Sequence, residues 1–340
     1  MKINKEKLLE ACVAVRPGLG KKDASEQTDR LFFSKRKIFT YNEKIFTVYP
    51  LNSDMECSVL AEEFYEFVGR IEEEELEISF DKEKGELLVE AGQSRSGMMV
   101  MEIDEIQKTI DMMDVPKADE WKLLPEGFAE ALHLCSFAAS KDTSLHRLNS
   151  LSIVKNQVVA SDDLRISVYD LGEEMGEFLI PLAAVNELYK YRIREYHVGE
   201  RWIYFRAGRV SLFATKTVTE KPLVVEHLFE FDGTEFFVPP SLLGAVETTS
   251  VFAEGNLSID KAIEIEMKDG VIRCRGQNEV GWAEVEVDCD YDGEVSFVIN
   301  PIFLSEVLGR VKEGGTIKCS DKLAMISFGP FRHLMSLRVR

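Results

Sequence analysis

The chain has 340 residues, with 41 Lys plus Arg against 60 Asp plus Glu and a net charge of −19. That length allows two or three domains, each large enough for its own core. The charge excludes general affinity for nucleic acid, because phosphates are repelled over most of such a surface, and leaves room only for a local basic region. No run approaches the ~18 apolar residues that span a bilayer. The opening MKINKEKLLEA is charged and amphipathic and lacks the apolar centre of a signal peptide. Both features point to a cytoplasmic protein with no membrane partner. The cysteines (Cys12, Cys57, Cys135, Cys274, Cys289 and Cys319) are scattered without a CxxC and read as reduced core thiols.

In chain order, a helix from Lys5 to Val15 sets Leu8, Ala11, Cys12 and Val15 on one face. The Gly- and Lys-rich loop RPGLGKKDASEQTD follows. DRLFFSK and KIFTVYPL read as strands joined by a polar turn at Tyr41-Asn42-Glu43. Cys57 to Ile71 reads as a strand running into a helix, with Phe64, Phe67, Val68 and Ile71 as its stripe, and leads into the hairpin LEISFDKEKGELLVEAG. Gly97 to Ile103, GMMVMEI, is an apolar strand candidate.

Proline and charge break the pattern at MMDVPKADEW, and the cycle restarts. Phe128, Ala131, Leu132 and Cys135 repeat the first stripe. The loop SKDTSLHR leads into LNSLSIV and NQVVASDDLRISVYDL. Phe178 to Ile193, FLIPLAAVNELYKYRI, is again a strand entering a helix, and the hairpin RWIYFRAGRVSLFAT follows. After a second break at FDGTE, Leu242, Ala245, Val246 and Thr249 give the stripe a third time. Lys268-Asp269-Gly270 signals a type I′ turn among the next strands. Phe297 to Lys312, FVINPIFLSEVLGRVK, is the third strand-into-helix copy, with Asn300 as N-cap and Pro301 at the first helical position. The hairpin TIKCSDKLAMISF closes the cycle.

Stripe residues such as Phe64, Val185 and Leu304 recur at about 120 residues, too long for a solenoid unit and suited to a triplicated domain. Glu66, Glu187 and Glu306 share one slot. Arg70 and Arg310 correspond, with Tyr191 between them. The expected class is α+β, with domains at 1–116, 117–233 and 234–340, each of two helices and about eight strands.

Chemistry has little to stand on. There is no GxxxxGK[ST], no GxGxxG opening a helix, and no metal-ligand spacing among His133, His146, His197, His227 and His333. Asp162-Asp163 could pair on a magnesium ion, but no third ligand lies nearby and a polar hairpin turn is the simpler account. No cofactor, no metal and no enzymatic activity are expected. The cations are better organised. Lys190 and Arg194 stand at i, i+4 opposite an apolar stripe, Arg310 and Lys312 end the third copy's helix, and Arg70 ends the first. Their recurrence suggests one basic surface made from equivalent elements, beyond simple complementation of helix dipoles.

The triplicated register, the junctions FLIPLAAVNELYK and FVINPIFLSEVLG, the segment VASDDLRISV and the tail LMSLRVR together resemble the bacterial sliding clamp family, the beta subunit of DNA polymerase III. The weak residue-by-residue match suits a divergent or phage-encoded member. The resemblance implies a ring of two chains joined head to tail, helices lining a hole, that encircles double-stranded DNA of any sequence. It further implies a processivity factor in DNA replication whose partners are a DNA polymerase, a clamp loader and a second copy of itself. A scaffold of the same fold that never encircles DNA is the alternative.

The resemblance places Lys21, Lys22, Lys141, His146, Arg147, Lys190, Arg194, Arg310 and Lys312 against the duplex. It places Leu148, Ser161, Leu164, Arg165, Ile166, Leu323, Met335 and Leu337 in an apolar cleft for short partner motifs. Asp163 stands at the rim where relatives carry glycine, and would disfavour acidic motifs. Met98, Met99 and Met101 are expected at the dimer interface, facing the region of Val251 and Phe252.

Overall fold

Local chemistry sets the helix starts in this computed structural model. Asn4 opens helix α1 (Lys5–Val15) by accepting from the Lys7 amide at 3.3 Å. Asn300 opens helix α6 (Pro301–Leu308) by accepting from the amides of Ile302 and Phe303, with Pro301 at a position that needs no donor. Between them lie α2 (Ala61–Arg70), α3 (Phe128–Cys135), α4 (Leu182–Leu188) and α5 (Leu242–Ser250). The structure describes residues 1–20, 28–34, 36–101, 115–189, 191–207, 211–311 and 314–338.

Among the described residues each third of the chain holds two helices and eight strands. Strands Cys57–Leu60, Gly176–Pro181 and Val295–Ile299 each run straight into a helix, as the periodicity predicts. A polar turn also recurs, closed by one side chain each time. Asn42 Oδ1 accepts from Lys44 and Ile45, Asp162 Oδ1 from Leu164 and Arg165, and Ser320 Oγ from Lys322 and Leu323. Asp269 and Gly270 have φ of 51° and 79°, the left-handed pair that a type I′ turn requires.

Two compact units result, and they do not follow the thirds. One comprises residues 1–124 and 186–217, the other 125–185 and 218–340. In the first, an eight-stranded sheet runs in the order Cys57–Leu60, Arg30–Ser34, Lys37–Tyr41, Ile45–Pro50, Ser211–Lys216, Trp202–Ala207, Glu195–Val198, Lys122–Leu123. A four-stranded sheet of the same unit runs Lys2–Asn4, Glu75–Asp81, Glu86–Ala91, Ser94–Met99. Leu8, Cys12 and Val15 of α1 and Phe64 and Val68 of α2 pack on strand residues such as Phe33, Ile38, Ile78 and Val89 in one buried cluster.

The second unit repeats the plan. Its eight-stranded sheet runs Gly176–Pro181, Ser150–Lys155, Gln157–Ser161, Arg165–Asp170, Phe331–Ser336, Leu323–Phe328, Thr316–Cys319, Thr234–Phe237. Its four-stranded sheet runs Trp282–Asp288, Val271–Gln277, Ile263–Lys268, Val295–Ile299.

Three boundaries differ from expectation. Helix α4 stops at Leu188; beyond it the Tyr191 hydroxyl donates to the Ala14 carbonyl and its ring packs on Phe213. Arg194 therefore precedes a strand instead of continuing a helix. Helix α6 stops at Leu308, short of Lys312, where Gly309 caps it. The GMMVMEI strand begins earlier, at Ser94, and ends at Met99, with Met101 making a single bridge to Ser58.

Candidate functional site

Lys21, Lys22, Lys190 and Lys312 lie outside the described residues. Lys141, His146 and Arg147 are exposed on a self-braced loop. Asp142 accepts from the Ser144 amide and hydroxyl, which holds its carboxyl below the usual range. Asn149 donates to the Ser140 carbonyl at 2.6 Å, and the Ser150 hydroxyl donates to the His146 carbonyl at 2.7 Å. Arg194 is exposed, with its backbone fixed by Leu124 and Arg206.

Arg310, which the resemblance places against the duplex, is half-buried just beyond α6. Its Nη1 donates to the Glu306 carbonyl at 2.6 Å, its guanidinium stacks 4.2 Å from the Phe137 ring, and burial lowers its pKa. It closes the end of α6 instead of projecting into solvent. The outer helix faces also carry the opposite sign from the one expected. Glu6, Glu10, Glu62, Glu63, Glu66, Glu130 and Glu247 are exposed there, against Lys7, Arg70 and His133. Arg70 itself is paired with Glu66 at 3.1 Å. Of the cations expected against the duplex, the exposed ones, Lys141, His146, Arg147 and Arg194, thus lie outside helices.

The partner-cleft residues divide by strand phase. In strand Arg165–Asp170 the side chains of Ile166 and Val168 face outward, while Arg165 and Ser167 face the helices. Ile166 lies opposite Leu334, which joins Leu323 and Met325 on the outer face. Ser161 neighbours Ile166 and is buried, its hydroxyl donating to the Arg165 carbonyl at 2.9 Å.

Arg165 and Met335 belong to the other face. Met335 has no exposure and lines an apolar space with Leu242, Phe297 and Leu304. Arg165, 7% exposed, pairs with Asp162 at 3.0 Å and with Glu306, donates to the Phe137 carbonyl at 3.1 Å, and stacks 4.4 Å from the Phe303 ring. Alternation along a strand puts neighbours on opposite faces, so residues 165 and 166 cannot share one cleft. Leu148 and Leu337 are buried, and Leu164 is exposed in the turn. Asp163 is exposed at φ 73°, a conformation that suits glycine.

The connector 221–231, which the sequence alone does not place, lies on this outer face. Leu223, Val225, Phe229 and Phe231 pack on Val159, Ile166, Val168 and Leu334. Its signal was the apolar alternation within KPLVVEHLFEF. Asp162, whose carboxylate closes its own turn and holds Arg165, is not free for a metal. Among the described residues no group of His, Cys, Asp and Glu is arranged to hold one.

Among the described residues each four-stranded sheet ends in a strand paired on one side only. Ser94–Met99 exposes Met99 at 69%, with Met98 turned inward against the core and Met101 beyond the strand. Trp282–Asp288 exposes Trp282 at 62%, which carries the Arg275 guanidinium over its ring at 5.7 Å. Val251 is exposed, and Phe252 packs over Gly281 at the start of that edge strand, so the region expected around these two residues includes Trp282.

No protein-family model matches the chain, and no curated protein matches it in sequence. Solved structures do match along its whole length. The DNA polymerase III subunit beta of Pseudomonas aeruginosa superposes with a TM-score of 0.84 at 18% identity, covering 100% of both chains. The DNA polymerase III beta chain of Streptococcus pneumoniae gives a TM-score of 0.87 at 16% identity, covering 100% of this chain and 99% of that one. The DNA polymerase sliding clamp of Bacillus subtilis gives 0.83 at 15%, covering 100% and 98%. The fold is that of these sliding clamps.

Proposed function

We propose that this chain is a DNA sliding clamp, a ring of two copies that encircles duplex DNA and tethers the replicative polymerase. The observation that carries this reading is the fold shared over the full length with sliding clamps. The sheets support it. Among the described residues the two four-stranded sheets end in edge strands at Ser94–Met99 and Trp282–Asp288. An open edge is a template for another strand, and pairing these two across copies would complete a closed ring. The thirds at 1–116, 117–233 and 234–340 of the two copies are then six similar domains of that ring, located in the cytoplasm with a clamp loader as a further partner.

The ring works mechanically, without a chemical step. Enclosure replaces affinity, so the acidic helix faces are compatible with it, and loop cations such as Lys141 and Arg147 guide the backbone without reading bases. The cleft of Ile166, Leu323 and Leu334 takes a short apolar motif of the polymerase. The test is retention on circular and linearised duplex after loading with the cognate loader. Retention on the closed circle and loss within minutes of linearisation are expected. Equal retention on both would mean surface adhesion and would sink the ring.

A further inference from the structure

The connector 221–231 covers the outer face of the sheet without joining it. Val225 and Phe229 are each 6% exposed against Val159, Val168 and Leu334. Among the described residues, its one hydrogen bond to the sheet runs from the Leu223 amide to Ser152 Oγ at 3.0 Å. Otherwise it is held by side chains, with Arg332 over Phe229 at 4.9 Å and Lys318 over Phe231 at 5.1 Å. Its inner backbone bonds, Leu228 to Val225 and Phe229 to Glu226, close only its own 3-10 turn. Val224, Glu226, His227 and Leu228 remain exposed.

We propose that this connector is an intramolecular occupant of the partner cleft, a strap that an incoming apolar motif must displace. The proposal rests on the cleft being the partner site. The strap presents apolar anchors at 223, 225 and 229 from an irregular segment, the same chemistry as a short linear motif. Because it shares no ladder with the sheet, it can lift without unravelling a strand, as local openings of weakly bonded segments do. Apparent affinity for a partner is then reduced by the fraction of time the strap is closed. Arg332 and Lys318, by clasping the two phenylalanines, set that fraction.

The test uses the full chain and a labelled synthetic peptide, KPLVVEHLFEF, copied from the strap. Val225→Ser with Phe229→Ser should bind this peptide at least about tenfold more tightly than the wild type, whose own strap holds the site. Adding Ile166→Glu should abolish binding. Phe229→Leu, which keeps the surface apolar, should fall between. Equal or weaker binding by the double variant overturns the strap. Hydrogen exchange of the wild type needs no variant: amides of 223–231 should exchange well before those of Arg165–Asp170. Exchange in step with that strand would make the connector a fixed wall and also overturn it. A self-peptide that binds the released cleft but is not competed by the polymerase's C-terminal peptide would leave the strap standing and remove the cleft as the polymerase site.

Discussion

His333 and Arg165 lie on neighbouring strands and face the same way, and the guanidinium charge disfavours a second charge on the imidazole. The imidazole is fully buried, with Nδ1 2.7 Å from Ser167 Oγ and the ring against Phe137. Burial pushes its pKa well below the ordinary histidine value, and the Arg165 and Arg310 charges push the same way. It is therefore neutral in the fold and takes a proton in the unfolded chain near pH 6.5. Above that pH both states are neutral and the group contributes nothing. Below it the unfolded state binds the extra proton, so stability falls by up to ~1.4 kcal/mol per pH unit until the folded pKa is reached. The urea midpoint should drop between pH 6.5 and 5, and His333→Asn, which can still reach Ser167, should remove that part of the slope. An unchanged slope in the variant would mean that the fold accepts the proton. The sequence does not reveal this. His333 has no motif, and Arg165 in SDDLRIS reads as a surface residue until strand phase turns it onto Glu306 and Phe303.

Helices and turns were far more legible than single side chains. The stripes on α1, α3 and α5 bury the residues that their spacing selects, and α2 buries Phe64 and Val68 of its four while Phe67 is only half-buried, because period and burial are the same physical fact. Helix ends were less legible: α4 stops at Leu188, just before Tyr191 bonds to Ala14, and α6 stops at Leu308, where Gly309 caps it. Arg194 and Arg310 therefore lie beyond the helix ends. If loops carry the duplex contacts, Lys141→Glu with Arg147→Glu should flatten the slope of log retention against log salt on linear DNA by about two units. Glu62→Gln with Glu66→Gln should instead lengthen retention at every salt concentration. A flattening by the helix pair and none by the loop pair would return the contacts to the helices.

For the assembly, the two open edges make a sharper prediction than either alone. The core-facing residues there are Ser96 and Met98 on one side and Ala283, Val285 and Val287 on the other. Met99 and Trp282 are the large apolar groups left outside. Met99→Lys with Trp282→Glu should give folded chains of 38.6 kDa by light scattering, with the wild type at twice that mass. Met99→Lys alone should weaken the pair by about tenfold or more, since apolar anchors dominate small interfaces. A double variant that stays paired would put the interface away from both edges.

The first eight-stranded sheet also bears on how the chain is made. Strand Ile45–Pro50 finds its partner in Ser211–Lys216, with Phe46 opposite Ala214. During translation that strand waits, its ladder half unmet, while some 160 residues are added, on the order of ten to thirty seconds at ordinary ribosome speed. Until then Phe39, Phe46 and Val48 lack Trp202 and Tyr204, the aromatic neighbours that bury them later. The nascent amino-terminal third is therefore the part of this protein most in need of a chaperone, and slowing translation beyond residue 60 would lengthen its exposure.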